Sequence, residues 1–267
     1  MLGLGTARQQ LDDPTAKALA GSLTTRIVDY LIKNRWCAMT HDGKSVSAPF
    51  GQSPTKVHGF TLLALQVDPR FQATWDEVKP LAHMVWVSDW VGLLDPLSQY
   101  YKWNLGYTMT YHSMRLETDP ARFASLQRAH DMERRLLATH DNAYFEAVDA
   151  AVDPRLVAML APRIQDGMNR MGARPQRYVA RNHSADPAIA KDWYEVPLSV
   201  QKQAGTLAPK KELMAKYALP IEVRCSTDYL WQRNPFQLDG GGDPREQSPG
   251  VDVVLPYWLA RFYKLAK

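Results

Sequence analysis

The sequence predicts a mostly α-helical protein built from antiparallel helical hairpins. Seven Asp-Pro dipeptides punctuate the chain, and most of them stand just before a run of apolar residues at helical spacing. Aspartate is a good N-cap, and proline is favoured at the first helical position, so each dipeptide indicates a helix start. The dipeptides begin at Asp13, Asp68, Asp95, Asp119, Asp153, Asp186 and Asp243.

Short connections between long helices indicate that consecutive helices pack as antiparallel neighbours. We therefore expect an incomplete α/α toroid, in which inner and outer rings of helices surround a cleft, with an irregular helical bundle as the alternative. The whole chain, residues 1–267, is interpreted as a single domain of this type.

Apolar periodicity locates the individual helices. In the first, Leu19, Leu23, Ile27 and Leu31 recur at helical spacing, and Pro80 predicts a kink in the third. The predicted helices cover residues 14–35, 57–67, 69–87, 96–117, 120–139, 143–152, 154–171, 210–217 and 253–265.

Two segments do not follow the helical pattern. Residues 36–50 contain the tight-turn sequence His41-Asp42-Gly43-Lys44 between short β-prone runs, which predicts a minor β hairpin or an extended loop. Residues 171–250 are rich in Pro and Gly but also in Trp and Tyr, which disordered segments lack. We expect an ordered lid of covering loops there, followed by a closing helix within 251–267.

Composition excludes several classes of protein. The chain has 267 residues, 45% of them hydrophobic, and a net charge of +4. Its basic residues are scattered, which argues against nucleic-acid binding. No run approaches the ~20 apolar residues of a membrane-spanning helix. Cys37 and Cys225 stand far apart in sequence, and either a disulfide or two free thiols would fit.

The N-terminus resembles the second half of a helix that lacks a cap. Met1 is followed by Leu-Gly-Leu-Gly-Thr-Ala-Arg-Gln-Gln-Leu. We expect further helices or a partner chain to complete the fold at this end.

The helix predicted over 96–117 carries the strongest candidates for catalysis. Asn104, Tyr107, Tyr111 and Arg115 share one stripe, with His112 beside it. Tyr and His serve as general acids and bases, whereas Asn and Arg stabilise developing negative charge. We predict Tyr111, His112, Asn104 and Arg115 as catalytic and Tyr107 as substrate-binding. The alternative is a buried inner helix whose polar groups bond neighbouring helices.

Two loops supply further candidates for substrate binding. Trp231 and Arg233 offer a stacking platform with a cationic neighbour, which suits a sugar or an anionic group. Trp231 is expected to pack over the cleft mouth, resting on an apolar stripe of the last helix formed by Val254, Leu255, Trp258 and Phe262. His41 and Asp42 are candidates at the cleft mouth, although a simple turn would also explain them.

Familiar catalytic and cofactor motifs are missing from the sequence. It contains no Gly-x-Ser-x-Gly elbow, no His-Glu-x-x-His and no Walker A sequence. The carboxylates around Gly240 do not follow EF-hand spacing. We predict no metal and no cofactor, and we interpret His130 and His140 as solvated residues on charged helix surfaces.

Four segments carry a resemblance to a known group of proteins. They are residues 36–51, which include Phe50-Gly51, the joint at 116–120, the Leu-Trp-Gln-Arg-Asn-Pro-Phe run at 230–236, and residues 249–261. They resemble uncharacterised bacterial proteins of the α/α-toroid type, which are distantly similar to polysaccharide lyases and glycoside hydrolases. The resemblance implies a secreted or periplasmic protein.

Two functional hypotheses follow. The first is a carbohydrate-active enzyme, a lyase or hydrolase, that acts on a poly- or oligosaccharide, an acidic one included, in a cleft at one end of the toroid. The alternative is a non-catalytic helical protein that binds a glycan or a protein partner. Convergence of Asn104, Tyr111, His112 and Arg115 on one solvent-open pocket would favour the enzyme, whereas burial in separate hydrogen bonds would favour the scaffold.

Overall fold

The computed structural model divides the chain into two compact units. Unit 1 comprises Met1–Val91 and Gly106–Met132, and unit 2 comprises Gly92–Leu105 and Glu133–Lys267. The boundaries between the units fall inside two helices, and the prediction of a single domain stays a prediction. The structure describes residues 2–45, 53–85, 100–172, 181–183, 186, 193–197, 201–203, 206–208, 211–224, 231, 234–240 and 251–265.

Unit 1 is mainly helical in its described part. It contains α1 (Leu2–Gln10), α2 (Pro14–Lys33), α3 (Pro54–Val67), α4 (Gln72–Val78), most of α5 (Tyr101–Leu116) and the first part of α6 (Pro120–Leu137). Helix α3 is buried on nearly every side and contacts α1, α2 and α4. One core cluster of this unit consists of Val28, Leu31, Phe60, Ala64, Phe71 and Met109.

The Asp-Pro dipeptides begin helices as predicted wherever both residues are described. The Asp13 carboxylate accepts hydrogen bonds from the backbone N–H groups of Thr15 and Ala16. Asp119 does the same at the start of α6. Asp68 and Asp153 each cap a short 3₁₀ turn that leads into an α-helix. Aspartate followed by proline therefore sets these starts locally. The dipeptides at Asp95 and Asp243, and the proline after Asp186, lie outside the described residues.

The helix predicted over 69–87 is divided into three pieces. A 3₁₀ turn at Pro69–Phe71 precedes α4, and a second 3₁₀ segment, Lys79–Met84, follows it. Pro80 stands at the start of this second segment. Its ring removes an N–H that an α-helix would need. Helix α4 therefore ends before Pro80 instead of continuing with the predicted kink.

The turn after α2 contains less β structure than a hairpin of two strands. Met39 and Ser45 form a single antiparallel bridge, and Gly43 adopts a positive φ of 79° between them. Residues 46–50 lie outside the described part. The described residues therefore form a tight turn with one bridge, and the minor β hairpin stays a prediction.

Unit 2 is built around three helices. They are α7 (Ala143–Val152), α8 (Val157–Gly172) and α9 (Val251–Phe262), which pack on one another. Helix α7 is the buried member of the group, and every residue from Ala143 to Ala150 is buried. The core cluster between the helices consists of Ala147, Ala150, Leu160, Ile164, Ala260 and Leu265.

Short antiparallel strands occur in the segment expected to be an irregular lid. Strand β1 (Arg181–Asn182) pairs with β6 (Asp239–Gly240), and β3 (Gln201–Gln203) pairs with β4 (Thr206–Ala208). Strand β2 (Trp193–Pro197) pairs with β5 (Lys211–Ala215) in the register Trp193↔Ala215. The prediction of a helix over 210–217 is therefore wrong.

The physical reason is that pairing with a distant strand overrides local preference. Lys, Glu, Leu, Met and Ala are all good helix formers, and they fill residues 211–215. Burial of Ala215 against Leu219 and Leu238 supplies a tertiary contact that an isolated helix would lack.

The protein is mostly helical, as the sequence predicts. Within the described segments, no helix is both long enough and apolar enough to span a bilayer.

Candidate functional site

Three of the predicted catalytic residues lie together in unit 1. Arg115 Nη1 donates a hydrogen bond of 3.1 Å to the phenol oxygen of Tyr111, one helical turn earlier on α5. The ring of His112 packs edge-on against Tyr111, with 4.9 Å between the ring centroids. We call Tyr111, His112 and Arg115 the α5 cluster. Tyr111 is only 4% exposed, whereas His112 and Arg115 are half-buried.

His112 is a neutral imidazole at pH 7. Burial, assisted by the charge of Arg115, lowers its pKa to about 4. Nδ1 lies 3.4 Å from the hydroxyl of Thr6, so α1 adjoins this side of the ring. A neutral imidazole has one nitrogen able to accept a proton, which is the state that a general base requires.

The other two candidates on α5 are buried. Tyr107 is fully buried in unit 1, where its ring packs against His130 at 4.9 Å. Asn104 is also buried, but it belongs to unit 2. The roles predicted for Tyr107 in substrate binding and for Asn104 in catalysis stay predictions.

Trp231 is held inside unit 2. Its side chain is 1% exposed, and its indole N–H donates to the backbone carbonyl of Asp252 on α9 at 2.6 Å. The backbone carbonyl of Trp231 accepts a hydrogen bond from Asn142. Trp231 is therefore anchored to the last helix, as expected, although its role in substrate binding stays a prediction. Arg233 lies outside the described residues.

The face of α9 expected to support the Trp231 loop is exposed. Val254, Leu255, Trp258 and Phe262 point outward, and Trp258 is 61% exposed. The expectation is wrong because Trp231 reaches the helix at its first turn, through the carbonyl of Asp252. Ala260, on the opposite side of α9, faces the core.

His41 and Asp42 form part of an exposed turn. Asp42 accepts a hydrogen bond from Thr40. It also forms an ion pair of 3.0 Å with Lys44. The Thr40 hydroxyl, followed by Lys44, lowers the pKa of the Asp42 carboxyl. These contacts stabilise the turn, and the predicted binding role of His41 and Asp42 stays a prediction.

A buried ion network in unit 1 was not identified from the sequence. Glu117 accepts from both Nε and Nη2 of Arg122, at 2.9 and 3.0 Å, and its Oε2 lies 3.2 Å from Nε2 of the fully buried His58. It also accepts the backbone N–H groups of Thr118 and Asp119. Burial opposes ionisation of Glu117, but the hydrogen bonds from His58 and Arg122 outweigh it and lower its pKa to about 2.

This network is structural in character. Glu117 is saturated by donors from α3, α6 and its own turn, so it has little capacity left for a ligand. It fixes the joint between α5 and α6 against α3. A sequence signal existed, because a carboxylate next to a predicted cap and five residues before an arginine suggests such a joint.

A second network in unit 2 surrounds a left-handed turn. Asp141 has a φ of 48°, and the buried Arg224 donates to the carbonyls of His140 and Asp141 at 3.0 and 2.9 Å. The hydroxyl oxygen of Tyr100 lies 3.0 Å from Nδ1 of His140. Asn142, next in the chain, caps α7 and reaches Trp231. The network connects residues far apart in sequence, so no local pattern could reveal it.

The interpretation of two histidines as solvated is wrong. His130 is 1% exposed, and His140 is half-buried against Tyr100 and Phe236. Burial, followed by the charge of Arg224, lowers the pKa of His140 to about 4. His130 lies on the face of α6 that carries the buried Leu126, Ala129 and Glu133, whereas the exposed Arg128 and Arg135 lie on its other faces.

No cluster of three or more His, Cys, Asp or Glu side chains able to hold a metal occurs among the described residues. Cys37 carries a free thiol, and Cys225 lies outside the described part of the chain.

Comparison with known proteins gives no match. No protein-family model, no curated protein and no solved structure is significantly similar to this chain. The α5 cluster therefore has to be interpreted from its own chemistry.

Proposed function

We propose that the chain is a carbohydrate-active enzyme of the lyase type that acts on an acidic poly- or oligosaccharide. The observation that carries the proposal is the contact between Arg115 and the Tyr111 hydroxyl, with neutral His112 against the same ring. A tyrosine or histidine base and a cationic neutraliser are the two groups that such a reaction needs.

The chemistry proposed for the α5 cluster is β-elimination. A uronic acid unit carries an acidic proton on C5, next to its carboxylate. Tyr111 or His112 takes this proton, the C4–C5 double bond forms, and the C4–O glycosidic bond breaks as the same side chain returns the proton to the leaving oxygen. Arg115 stabilises negative charge on the Tyr111 oxygen or on the substrate carboxylate, because charge-assisted hydrogen bonds are the stronger kind.

Tyr111 is the residue whose removal tests this assignment. Acidic polysaccharides, including polygalacturonate, alginate and a glycosaminoglycan, would be incubated with the protein and followed by ultraviolet absorbance of the unsaturated product. We expect Tyr111→Phe or His112→Gln to lower kcat at least about 100-fold, the usual scale for general acid–base groups. Tyr217→Phe, which changes a highly exposed tyrosine of unit 2, is the matched control. Full activity in both Tyr111→Phe and His112→Gln would refute the assignment.

The arrangement of helices belongs to the same proposal. We propose that the antiparallel pairs form an incomplete α/α toroid with a minor β hairpin near residues 36–50. Supporting this are the contacts between consecutive helices, α1 with α2 and α7 with α8, across short connections. An experimental structure with concentric inner and outer rings of helices would bear it out, and a bundle without a central cleft would contradict it.

A second candidate function is supported by burial of the predicted site. Tyr107, Tyr111 and Trp231 are all less than 5% exposed, and Tyr111 and His112 engage separate partners, Arg115 and Thr6. A helical protein that binds a glycan or a protein partner without catalysis would use such side chains as core. Saturable binding of an oligosaccharide without any product after prolonged incubation would favour this candidate.

A further inference from the structure

An open groove in unit 1, separate from the α5 cluster, has the chemistry of an anion-binding site. It has a volume of about 460 Å³ and lies where the ends of α1 and α3 meet the first half of α2. Volumes of ~300–1,000 Å³ are typical of pockets for small molecules. Its polar lining comes from Arg8, Gln9, Lys17 and Ser22.

Among the residues that the structure describes, the two cations in this groove have no acidic partner. Neither Arg8 nor Lys17 forms an ion pair with any described residue, and none of the described lining residues carries a carboxylate. By contrast, Arg70, Arg122 and Arg170 are each paired with at least one carboxylate. Two positive charges that converge on an open space without a counter-charge favour an anionic occupant.

The floor of the groove is shaped by close packing between helices. Gly21 of α2 lies against Val67 of α3, and a Cβ at position 21 would stand 3.2 Å from Cγ1 of Val67. The absence of a side chain there brings the two helices together and leaves an apolar surface at Val67. A sugar ring offers C–H groups for such a surface and hydroxyl groups for Gln9 and Ser22.

We propose that this groove binds an acidic saccharide unit, whose carboxylate or sulfate lies between Arg8 and Lys17. The identity of the ligand rests on the proposed function, whereas the anionic character follows from the groove itself. The groove is then a binding subsite for the acidic chain and takes no part in bond cleavage.

Binding of trigalacturonate measured by calorimetry tests the proposal, with maltotriose as the neutral probe and inorganic sulfate as the simple anion. We expect the full-length protein to bind trigalacturonate, to bind maltotriose at least tenfold more weakly, and to lose affinity as NaCl is raised. The double variant Arg8→Gln, Lys17→Gln should lower the affinity for trigalacturonate at least tenfold. Arg26→Gln, Lys33→Gln on the exposed face of α2 removes the same net charge and should leave binding unchanged.

A second variant tests whether binding depends on the open volume of the groove as well as on its two cations. Ala18 also lines the groove and is exposed, so Ala18→Phe should fill the space while keeping both cations. We expect it to weaken trigalacturonate binding with no change in sulfate binding. Thermal melting of each variant within a few degrees of wild type would show that the fold is intact.

The outcomes distinguish this proposal from the proposed activity. Unchanged trigalacturonate binding in the Arg8, Lys17 double variant, or equal affinity for maltotriose, would overturn the groove proposal even if Tyr111→Phe abolishes cleavage. Binding of sulfate but not of trigalacturonate would overturn the saccharide assignment. Binding of trigalacturonate that depends on Arg8 and Lys17 would uphold the groove even if no cleavage occurs.

Discussion

At the residue scale, the most consequential side chain of unit 1 is Glu117. It is a buried carboxylate whose charge is compensated by Arg122, by His58 and by two backbone N–H groups. Removing one partner of a buried ion pair leaves the other charge uncompensated, which is much more costly than losing an exposed pair.

We expect Glu117→Gln to lower the free energy of unfolding by about 3–5 kcal/mol, because Arg122 loses its nearer carboxylate and keeps only the longer contact with Asp119. Urea denaturation at pH 7 measures this. Asp76→Asn is the control, since it removes an exposed carboxylate paired with Lys79, and it should have little effect. Since the pKa of Glu117 is lowered to about 2, its contribution is present above pH 4.5 and is lost as the pH falls through about 2. Equal effects of the two substitutions would contradict a structural role for the network.

At the element scale, the crossing of α3 and α5 depends on one glycine. A Cβ on Gly59 would stand 2.7 Å from the hydroxyl oxygen of Ser113, closer than side chains tolerate. Ser113 is fully buried, and its hydroxyl has no hydrogen-bond partner among the described residues. Both residues belong to unit 1, and Glu117, which follows α5, also contacts α3 through His58.

Substitution of Gly59 by Ala should destabilise the protein by roughly 1–3 kcal/mol, because it overpacks this crossing. The double variant Gly59→Ala, Ser113→Ala should recover most of the loss, since the colliding oxygen is gone. Ser113→Ala alone is expected to be neutral or mildly stabilising, because a buried hydroxyl without a partner costs free energy. A double-mutant cycle of chemical denaturation measures the coupling, and strict additivity would show that the contact is not the cause.

Helix α9 allows a comparison of two tryptophans, one that contacts it from another segment and one that belongs to it. Trp231 is buried and bonded to the first turn of the helix, whereas Trp258 is exposed on its outer face. We expect Trp231→Ala to lower the free energy of unfolding by about 3–5 kcal/mol. Trp258→Ala should change it by no more than about 0.5 kcal/mol.

Trp231→Phe separates packing from hydrogen bonding. It keeps an aromatic ring but leaves the carbonyl of Asp252 without its donor, so we expect an intermediate loss. Unfolding followed by circular dichroism gives all three values. If Trp231→Ala were as mild as Trp258→Ala, anchoring of α9 through Trp231 would be disproved.

At the scale of the whole molecule, three titratable groups whose pKa values are shifted by burial act on stability between pH 4 and 8, above the range in which Glu117 titrates. Burial lowers the pKa of His112 and His140 to about 4, so the stability they contribute is present above pH 6.5 and is lost as the pH falls through about 4. Glu146 has the opposite sign. Burial, opposed by Arg163, raises its pKa to about 7, so its contribution is present below pH 4.5 and is lost as the pH rises through about 7.

The melting temperature should therefore be highest near pH 6.5. Between pH 4.5 and 6.5 the two histidines outweigh the one glutamate, and of these three groups Glu146 is the one that still titrates above pH 6.5. Glu146→Gln should remove the decline above pH 6.5, because Gln stays neutral at all pH values. Differential scanning calorimetry of both proteins from pH 4 to 8 measures this. A decline that persists unchanged in Glu146→Gln would assign it to another group.

Much of the secondary structure could be predicted from local sequence. A capping aspartate followed by proline acts on its own first turn, so Asp13 and Asp119 begin helices whatever surrounds them. The turn after α2 is also a local feature. Its sequence contains Gly43, which adopts a positive φ, and the turn was predicted correctly from that sequence. These features depend on neighbours within four residues, which is why periodicity and capping suffice to find them.

The site could be predicted only in part. Helical spacing places Tyr111 and Arg115 one turn apart, and their contact follows from that spacing. Burial of α5 was predicted only as one of two alternatives, because apolar and polar residues alternate on several faces of that helix. The burial of His130, the exposure of Trp258 and the burial of Trp231 each depend on which distant segment packs against that face.

The sequence by itself determined where most helices begin and that the protein is mostly helical, because capping and periodicity act over one or two turns. Only the tertiary structure decided that residues 211–215 form a strand, since their partner lies about 18 residues earlier and outweighs their helix preference. It likewise decided that Glu117 joins α3 to α6 and that Arg8 and Lys17 face one groove. These outcomes depend on contacts between segments distant in the chain, and such contacts leave no periodic trace in the sequence.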